Sequence, residues 1–393
     1  MPAKKKSIVE DEQELRQSTS PARPAAAAAS DSAGELGTTA RTRGPRPKYP
    51  PLSFLIFPLY RVLLTAVVAA LLHHFVVNAY AAPILYKLLK GPTVTEWVKT
   101  SSAFTWLASL DSWPGRRLAS RGQDVGDVLF FAAGISIVNL AVYGSITSVA
   151  YVVCTYTTWV DRYKIPFKES QLPSAQLLRK TVLEALVSFT IPGPLVLAII
   201  FVVFGRFKHI SSLDDLTSWD ASFPVQVLHF AAANLSNEFF FYIAHRMLHE
   251  VPGLYAIHKQ HHAFIATTGG GIAAENANPI EALTSNIFPT LSWCLIMAPF
   301  VPMTFVWSFL SVRLAETLEA HGELDLRGTL LYDLGVLHGT TFWHSYHHTK
   351  NCGNYGGPVA DFMGGTMDAL LLDKEIPRAP AIIDTPYDPY FKS

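Results

Sequence analysis

The stretch from Val128 to Val160 contains no charged residue. A helix needs only about 20 such residues to cross a hydrocarbon core of about 30 Å, so this run either tilts in a bilayer or extends beyond it. Val62 to Ala82 is a second uncharged run of spanning length. Ala185 to Gly205 is a third, broken by Pro192-Gly193-Pro194, as in a membrane helix with an interruption or a re-entrant turn. Ala221 to Ala244 is a fourth and carries Glu238. Leu283 to Val312, broken by Pro299 and Pro302, reads as a tight helical hairpin. With 50% hydrophobic and 16% charged residues, the chain is too apolar for an ordinary soluble domain. No strand-rich region interrupts these runs. The expected fold is an all-α integral membrane bundle with about four to six embedded helices.

The first fifty residues differ from the rest. An Ala run from Ala25 to Ala29 and repeated Ser, Thr, Pro and Gly, with no periodic apolar face, predict a disordered tail over residues 1–50. A membrane-embedded domain is expected over residues 51–393. The tail starts without the apolar core of a cleaved signal. Its basic residues, among them Lys4, Lys5, Lys6, Arg46 and Lys48, precede the first span and place the N-terminus in the cytosol by the positive-inside rule. Net charge is zero, so no nucleic-acid partner is implied. Cys154, Cys294 and Cys352 are too scattered for a disulfide framework.

Nine of the fourteen histidines fall in clusters. His245 and His249 end the fourth run. His258, His261 and His262 follow as H-x-x-H-H, a pattern repeated by His344, His347 and His348; His321 lies between. Imidazole is the commonest neutral metal ligand. On a helix, positions i, i+3 and i+4 share one face, so each H-x-x-H-H is expected to present three imidazoles together. Two such patches and a pair exceed the four ligands that satisfy one structural metal, and two metals account for them economically. The clusters sit at or beyond the ends of apolar runs, forming a histidine-rich helical cap. An even number of crossings before each gathers them all on the cytosolic side.

The order H-x-x-x-H, H-x-x-H-H, A-x-P-x-E, E-T-x-x-x-H-G, H-x-x-H-H and G-N-Y resembles the fatty acid hydroxylase/sterol desaturase superfamily. Glu275 to Glu281, Glu316-Thr317, Gly353-Asn354-Tyr355 and Asp361 to Thr366 make it most similar to C-4 methylsterol oxidases, over roughly residues 130 to 370. The resemblance implies a cytosol-facing di-iron centre, held by the nine histidines, at the endoplasmic reticulum membrane. It implies O2-dependent oxidation of a sterol or related isoprenoid lipid. Electrons would come indirectly from NAD(P)H through cytochrome b5 or its reductase. Such ligands would also hold zinc, and they leave hydroxylation and desaturation equally open.

Ala277-Asn278-Pro279 departs from the Ala-His-Pro of those relatives. Asn278 is therefore expected at the edge of the metal site, holding a water or ligating weakly; a centre without turnover, serving as a metal-binding scaffold, is the alternative it raises. His338 is a further ligand candidate. Glu238, Glu281 and Glu316 are candidates to accept a ring N–H from a ligating histidine. Three successive glycines, Gly269 to Gly271, suggest a flexible loop beside the site.

Overall fold

The computed structural model describes residues 53–190, 192–205, 207–326, 329–330 and 340–367. Their regular structure is helical, and the one β interaction among them is an isolated bridge between Lys164 and Leu324. The tail expected over residues 1–50 and His338 lie outside the described residues.

Helix α1 (Ser53–Leu72) continues through a π-helical segment, His73–Ala81, into α2 (Ala82–Leu89), where Pro83 removes one rung of the α ladder. Helix α3 (Val125–Tyr156) is launched by a reciprocal cap. Asp124 accepts the backbone N–H of Asp127 at 2.9 Å, and Asp127 accepts that of Asp124 at 3.1 Å. Helices α4 (Ala175–Thr190) and α5 (Pro192–Phe204) lie on either side of residue 191, and Pro192-Gly193-Pro194 falls within the described part of α5.

Among the described residues, three segments are long and apolar enough to cross a membrane: Leu59–Leu89, Val125–Tyr156 and Glu169–Phe204. Helix α6 (Phe223–Glu250) has the length, but Asn234, Asn237 and Glu238 are buried along it and dilute its apolarity. The short α7 (Pro279–Glu281) leads through a π segment, Ala282–Ile287, into α8 (Phe288–Met297). Helices α8 and α9 (Met303–Ala320) form the expected hairpin across Pro299 and Pro302. The higher helix count read from the sequence is reached only by including α6 and this hairpin.

Helix α6 packs against α8 and α1, while α3 packs against α9 and α5. Phe130 and Phe131 of α3, Phe201 of α5, Phe230 of α6 and Phe305 and Trp307 of α9 are fully buried in one cluster. Packing rather than water exclusion holds such helices together in lipid, so close approach matters. Gly134 supplies it: a Cβ there would fall 2.3 Å from the Trp307 ring.

The glycine triplet is a packed turn rather than an open loop. Gly269, Gly270 and Gly271 all have positive φ, at 86°, 72° and 88°. A Cβ on Gly270 would lie 2.6 Å from Tyr151 N of α3, and one on Gly271 2.5 Å from Leu318 O of α9. Left-handed backbone without side chains lets this strand of chain wedge between two helices.

Candidate metal centre

All nine histidines of the clusters converge. Their ligand atoms form two groups, each with its members within 4.8 Å of one another: His245, His249, His258, His262 and His347 in one, His261, His321, His344 and His348 in the other. Helix α6 supplies His245 and His249 from its last turns. His258 closes a single helical turn, Tyr255–His258, and His261 and His262 follow on a 3-10 turn. His321 caps α9, and α10 (Thr341–Lys350) carries His344, His347 and His348.

The H-x-x-H-H pattern therefore does something other than present three imidazoles to one point. His258 and His262 enter the first group while His261 enters the second; His344 and His348 enter the second while His347 enters the first. Residues i and i+4 are about 40° apart around a helix, whereas i+3 lies about 60° to the other side. Each box straddles the two groups. The first box does so without a continuous helix, because the α-helical turn ends at His258.

The donor chemistry suits cations. His245 donates its Nδ1–H to Tyr355 O at 2.5 Å and His347 to Gly353 O at 2.7 Å. His321 donates to Thr317 O at 2.8 Å, His348 to Phe264 O at 2.7 Å, and His258 to the Glu281 carboxylate at 2.8 Å. A neutral imidazole whose Nδ1 carries the proton has a bare lone pair on Nε2. Two of those Nε2 atoms, on His245 and His258, face each other at 3.0 Å, and His344 brings its own Nε2 to 2.9 Å from that of His321 and 3.1 Å from that of His348. Converging lone pairs repel unless a positive ion lies between them, so the residues fit a metal in each group.

Burial keeps the rings neutral. It lowers His321 and His249 to about 4, and His258, with repulsion from neighbouring imidazoles, to about 2. His347 is lowered to about 3, again chiefly by burial. His245, His261, His262, His344 and His348 are pushed far below the ordinary imidazole range for the same reasons. Burial also pushes the Glu281 carboxyl up to about 8.

The three carboxylates singled out from the sequence divide. Glu281 touches a clustered histidine. Glu238 instead accepts the backbone N–H of Ala360 at 3.1 Å, at the start of α11 (Pro358–Gly364). Glu316 pairs with Arg313 and takes a long contact from Asn234 at 3.5 Å. Asn278 also stands elsewhere than expected: its Oδ1 accepts the N–H of Ile280 at 3.0 Å and caps α7, the turn that carries Glu281. The side-chain oxygen meant for a water is already used by a helix terminus. Cys352 is exposed and belongs to neither group. Sequence reading missed the carbonyls of Gly353 and Tyr355 that orient His347 and His245. Backbone acceptors have no side-chain signature, although the Gly353-Asn354-Tyr355 segment itself was visible.

A cavity of about 250 Å³ opens beneath the centre. His245, His258, His261, His321 and His344 line it together with Ile135, Leu197, Leu291 and Leu310. Ser136 and Phe189 also border an almost wholly apolar groove of about 670 Å³ between α3 and α5.

The family model for fatty acid hydroxylase matches residues 230–366, which include every clustered histidine. Methylsterol monooxygenase 2-2 of Arabidopsis thaliana is 31% identical over 53% of this chain and 75% of its own length. Methylsterol monooxygenase 1 of Danio rerio is 33% identical over 29% of this chain and 38% of its own. Fatty acid hydroxylase domain-containing protein 2 of Homo sapiens is 33% identical over 36% and 38%. The first of the curated relatives are matched over about half of their length, 48% and 56%. No solved structure matches the chain. The family-model match, the two histidine groups and the extent of the Arabidopsis match agree: the chain belongs to the fatty acid hydroxylase family.

Proposed function

We propose that this protein is a membrane non-haem di-iron oxidase that hydroxylates a sterol or related isoprenoid lipid, with residues 51–393 as its catalytic unit. The observation that carries the reading is the pairing of two imidazole groups with a cavity walled by apolar membrane helices. The five-histidine and four-histidine groups would each hold one iron ion. When bound, the irons supply reductive activation of O2. The overall balance is a C–H bond and O2 converted, with two electrons and two protons, to an alcohol and water. NAD(P)H is the electron source proposed, by way of cytochrome b5 or its reductase. The endoplasmic reticulum is the proposed membrane, with the N-terminus and the centre on the cytosolic side.

The chain's own residues prepare the site. Nδ1–H donation to carbonyls and to Glu281 fixes the tautomer of His245, His258, His321, His347 and His348 and leaves their Nε2 free to ligate. Ile135, Phe189 and Leu197 give the cavity an apolar wall that suits a hydrocarbon body. The neighbouring groove at Ser136 and Phe189 offers room for the rest of a lipid longer than the cavity. The names of the Arabidopsis and zebrafish relatives favour a methylsterol. Desaturation by the same centre remains the competing outcome of one hydrogen abstraction. The alternative of a metal-binding scaffold without turnover rests on the missing imidazole at position 278, where Asn278 serves as a helix cap.

The deciding experiment combines metal analysis and turnover of detergent-purified protein with lipid profiling of cells lacking it. Two irons per chain, consistent with the two groups, and one accumulated methylated sterol precursor are expected. Active protein holding a single ion or none would remove the di-metal reading; an unchanged sterol profile would remove the substrate class.

A further inference from the structure

One peptide unit links a buried carboxylate to a clustered histidine. The carbonyl of Tyr355 accepts the Nδ1–H of His245 at 2.5 Å, and the N–H of the same peptide, on Gly356, donates to Asp361 Oδ2 at 2.9 Å. Asp361 is fully buried. Its Oδ1 accepts the N–H of Tyr355 at 2.8 Å and the hydroxyl of Thr366 at 2.7 Å, and its Oδ2 also accepts Trp343 Nε1–H at 3.2 Å. All four of these donors are neutral. The carboxylate's charge is therefore spent on polarising its donors, and one of those is the amide behind His245.

The same carboxylate fixes the turn that serves a second ring. Asn354 has φ of 50°, and its N–H donates to Thr366 O at 3.0 Å, so the chain from Gly353 to Gly356 is tied to the Asp361–Thr366 segment. Gly353 and Tyr355 supply the acceptors for His347 and His245, both members of the five-histidine group. Among the described residues, no carboxylate stands behind His321 or His348 of the other group. His321 uses a carbonyl of its own helix α9, and His348 uses Phe264 O.

We propose that Asp361 is a positioning residue for the metal of the five-histidine group alone, acting on His245 through the Tyr355–Gly356 peptide and on His347 through the tethered turn. The two ions are thereby inequivalent: one leans on side-chain carboxyl groups, Asp361 through a peptide and Glu281 directly, the other on backbone carbonyls. This rests on the two-metal reading above.

The test is chelator titration of the purified full chain loaded with iron, following ions released per chain. Asp361→Asn turns an amide NH2 toward N–H donors and removes the charge. We expect it to release one ion at a chelator concentration lower by about 10-fold or more, the range for residues behind a ligand, while the second ion keeps wild-type resistance. Adding His321→Ala to Asp361→Asn should remove the resistant ion, whereas adding His347→Ala should change little beyond His347→Ala alone. Release of both ions together, or of neither, overturns the proposal. If Asp361→Asn does not fold, Thr366→Val keeps the carboxylate, deletes one of its donors, and should give the same selective release at smaller amplitude; unselective or absent release in that variant overturns the proposal equally. A wild-type chain lacking two ions would instead overturn the di-metal reading beneath it.

Discussion

The helices below the centre and the cap around it are held together by different forces. In the bundle, aromatic side chains such as Phe130, Phe201 and Trp307 interlock in one continuous cluster. Among the described residues, the cap has small apolar patches, one of Ile165, Phe342, Trp343 and Tyr346 and one of Tyr242, Tyr355 and Ala360. Its buried volume goes instead to imidazoles, Glu281, Asn354 and Asp361. Buried polar groups stabilise only when every partner is in place, and the converging Nε2 atoms have none among the protein's own donors once Nδ1 is committed. The bundle's packing involves no ion-binding group, whereas the cap gathers imidazoles that could hold one.

The sharpest way to break that contrast is to remove a ligand. His261→Ala leaves three histidines in its group and His347→Ala leaves four in the other, counted from groups of four and five. Both should cost activity by at least on the order of 100-fold, more than is typical of residues behind a ligand. Metal content should fall further in His261→Ala. Limited proteolysis should open the cap in both while far-ultraviolet circular dichroism keeps the helical signal of the bundle. Bundle and cap unfolding together would refute the division.

Acid should separate the two regions next. The clustered histidines are depressed from 6.5 in the fold, His321 and His249 to about 4 and His347 to about 3. The unfolded state thus binds more protons below pH 6.5, so cap stability is intact above that pH and is lost as pH falls through about 4. Metal follows the same direction, because protonated imidazole cannot ligate. Iron release and cap proteolysis should rise between pH 6.5 and 4, with Phe130 and its neighbours still packed. A cap indifferent to pH in this window would mean that its rings are solvated.

A smaller effect is expected at Glu281. Glu281→Ala removes the acceptor of His258 Nδ1–H and should weaken metal affinity by about 10–100-fold, measured by competition with a chelator. Glu281→Gln keeps an acceptor oxygen and should lose less.

Much of this organisation is legible in the sequence because it is written in long-range composition. Uncharged runs locate α3 and α5, and clustered histidines announce the centre, since both signals survive without knowledge of neighbours. The division of H-x-x-H-H between two groups is present in helical arithmetic, but the i+3 and i+4 residues become separate only when a second wall of ligands faces them. The roles of Glu238 and Asn278 were not legible. Glu238 finds a backbone N–H from a segment more than a hundred residues away, and spacing along its own helix cannot disclose that. The left-handed glycine triplet reads as freedom in one dimension and as tight packing in three.

Asn278 offers the finest test of how bundle and cap are joined, for it caps the helical run that carries Glu281 and continues into α8. Its backbone is extended, with φ of −64° and ψ of 142°, and Pro279 follows at the first helical position. This is the arrangement in which an Asn side chain replaces a missing helical acceptor. Asn278→Ala and Asn278→Leu should therefore cost about 1 kcal/mol of stability, read as a lower melting temperature, with a slight loss of metal affinity as Glu281 loosens. Asn278→Ser and Asn278→Asp keep a capping oxygen and should restore both. A side chain that held water at the metal would behave differently: Ser, shorter by one atom, would fail to reach, and metal affinity would fall while melting stayed unchanged. That pattern would return Asn278 to the centre and cut its link to the helix.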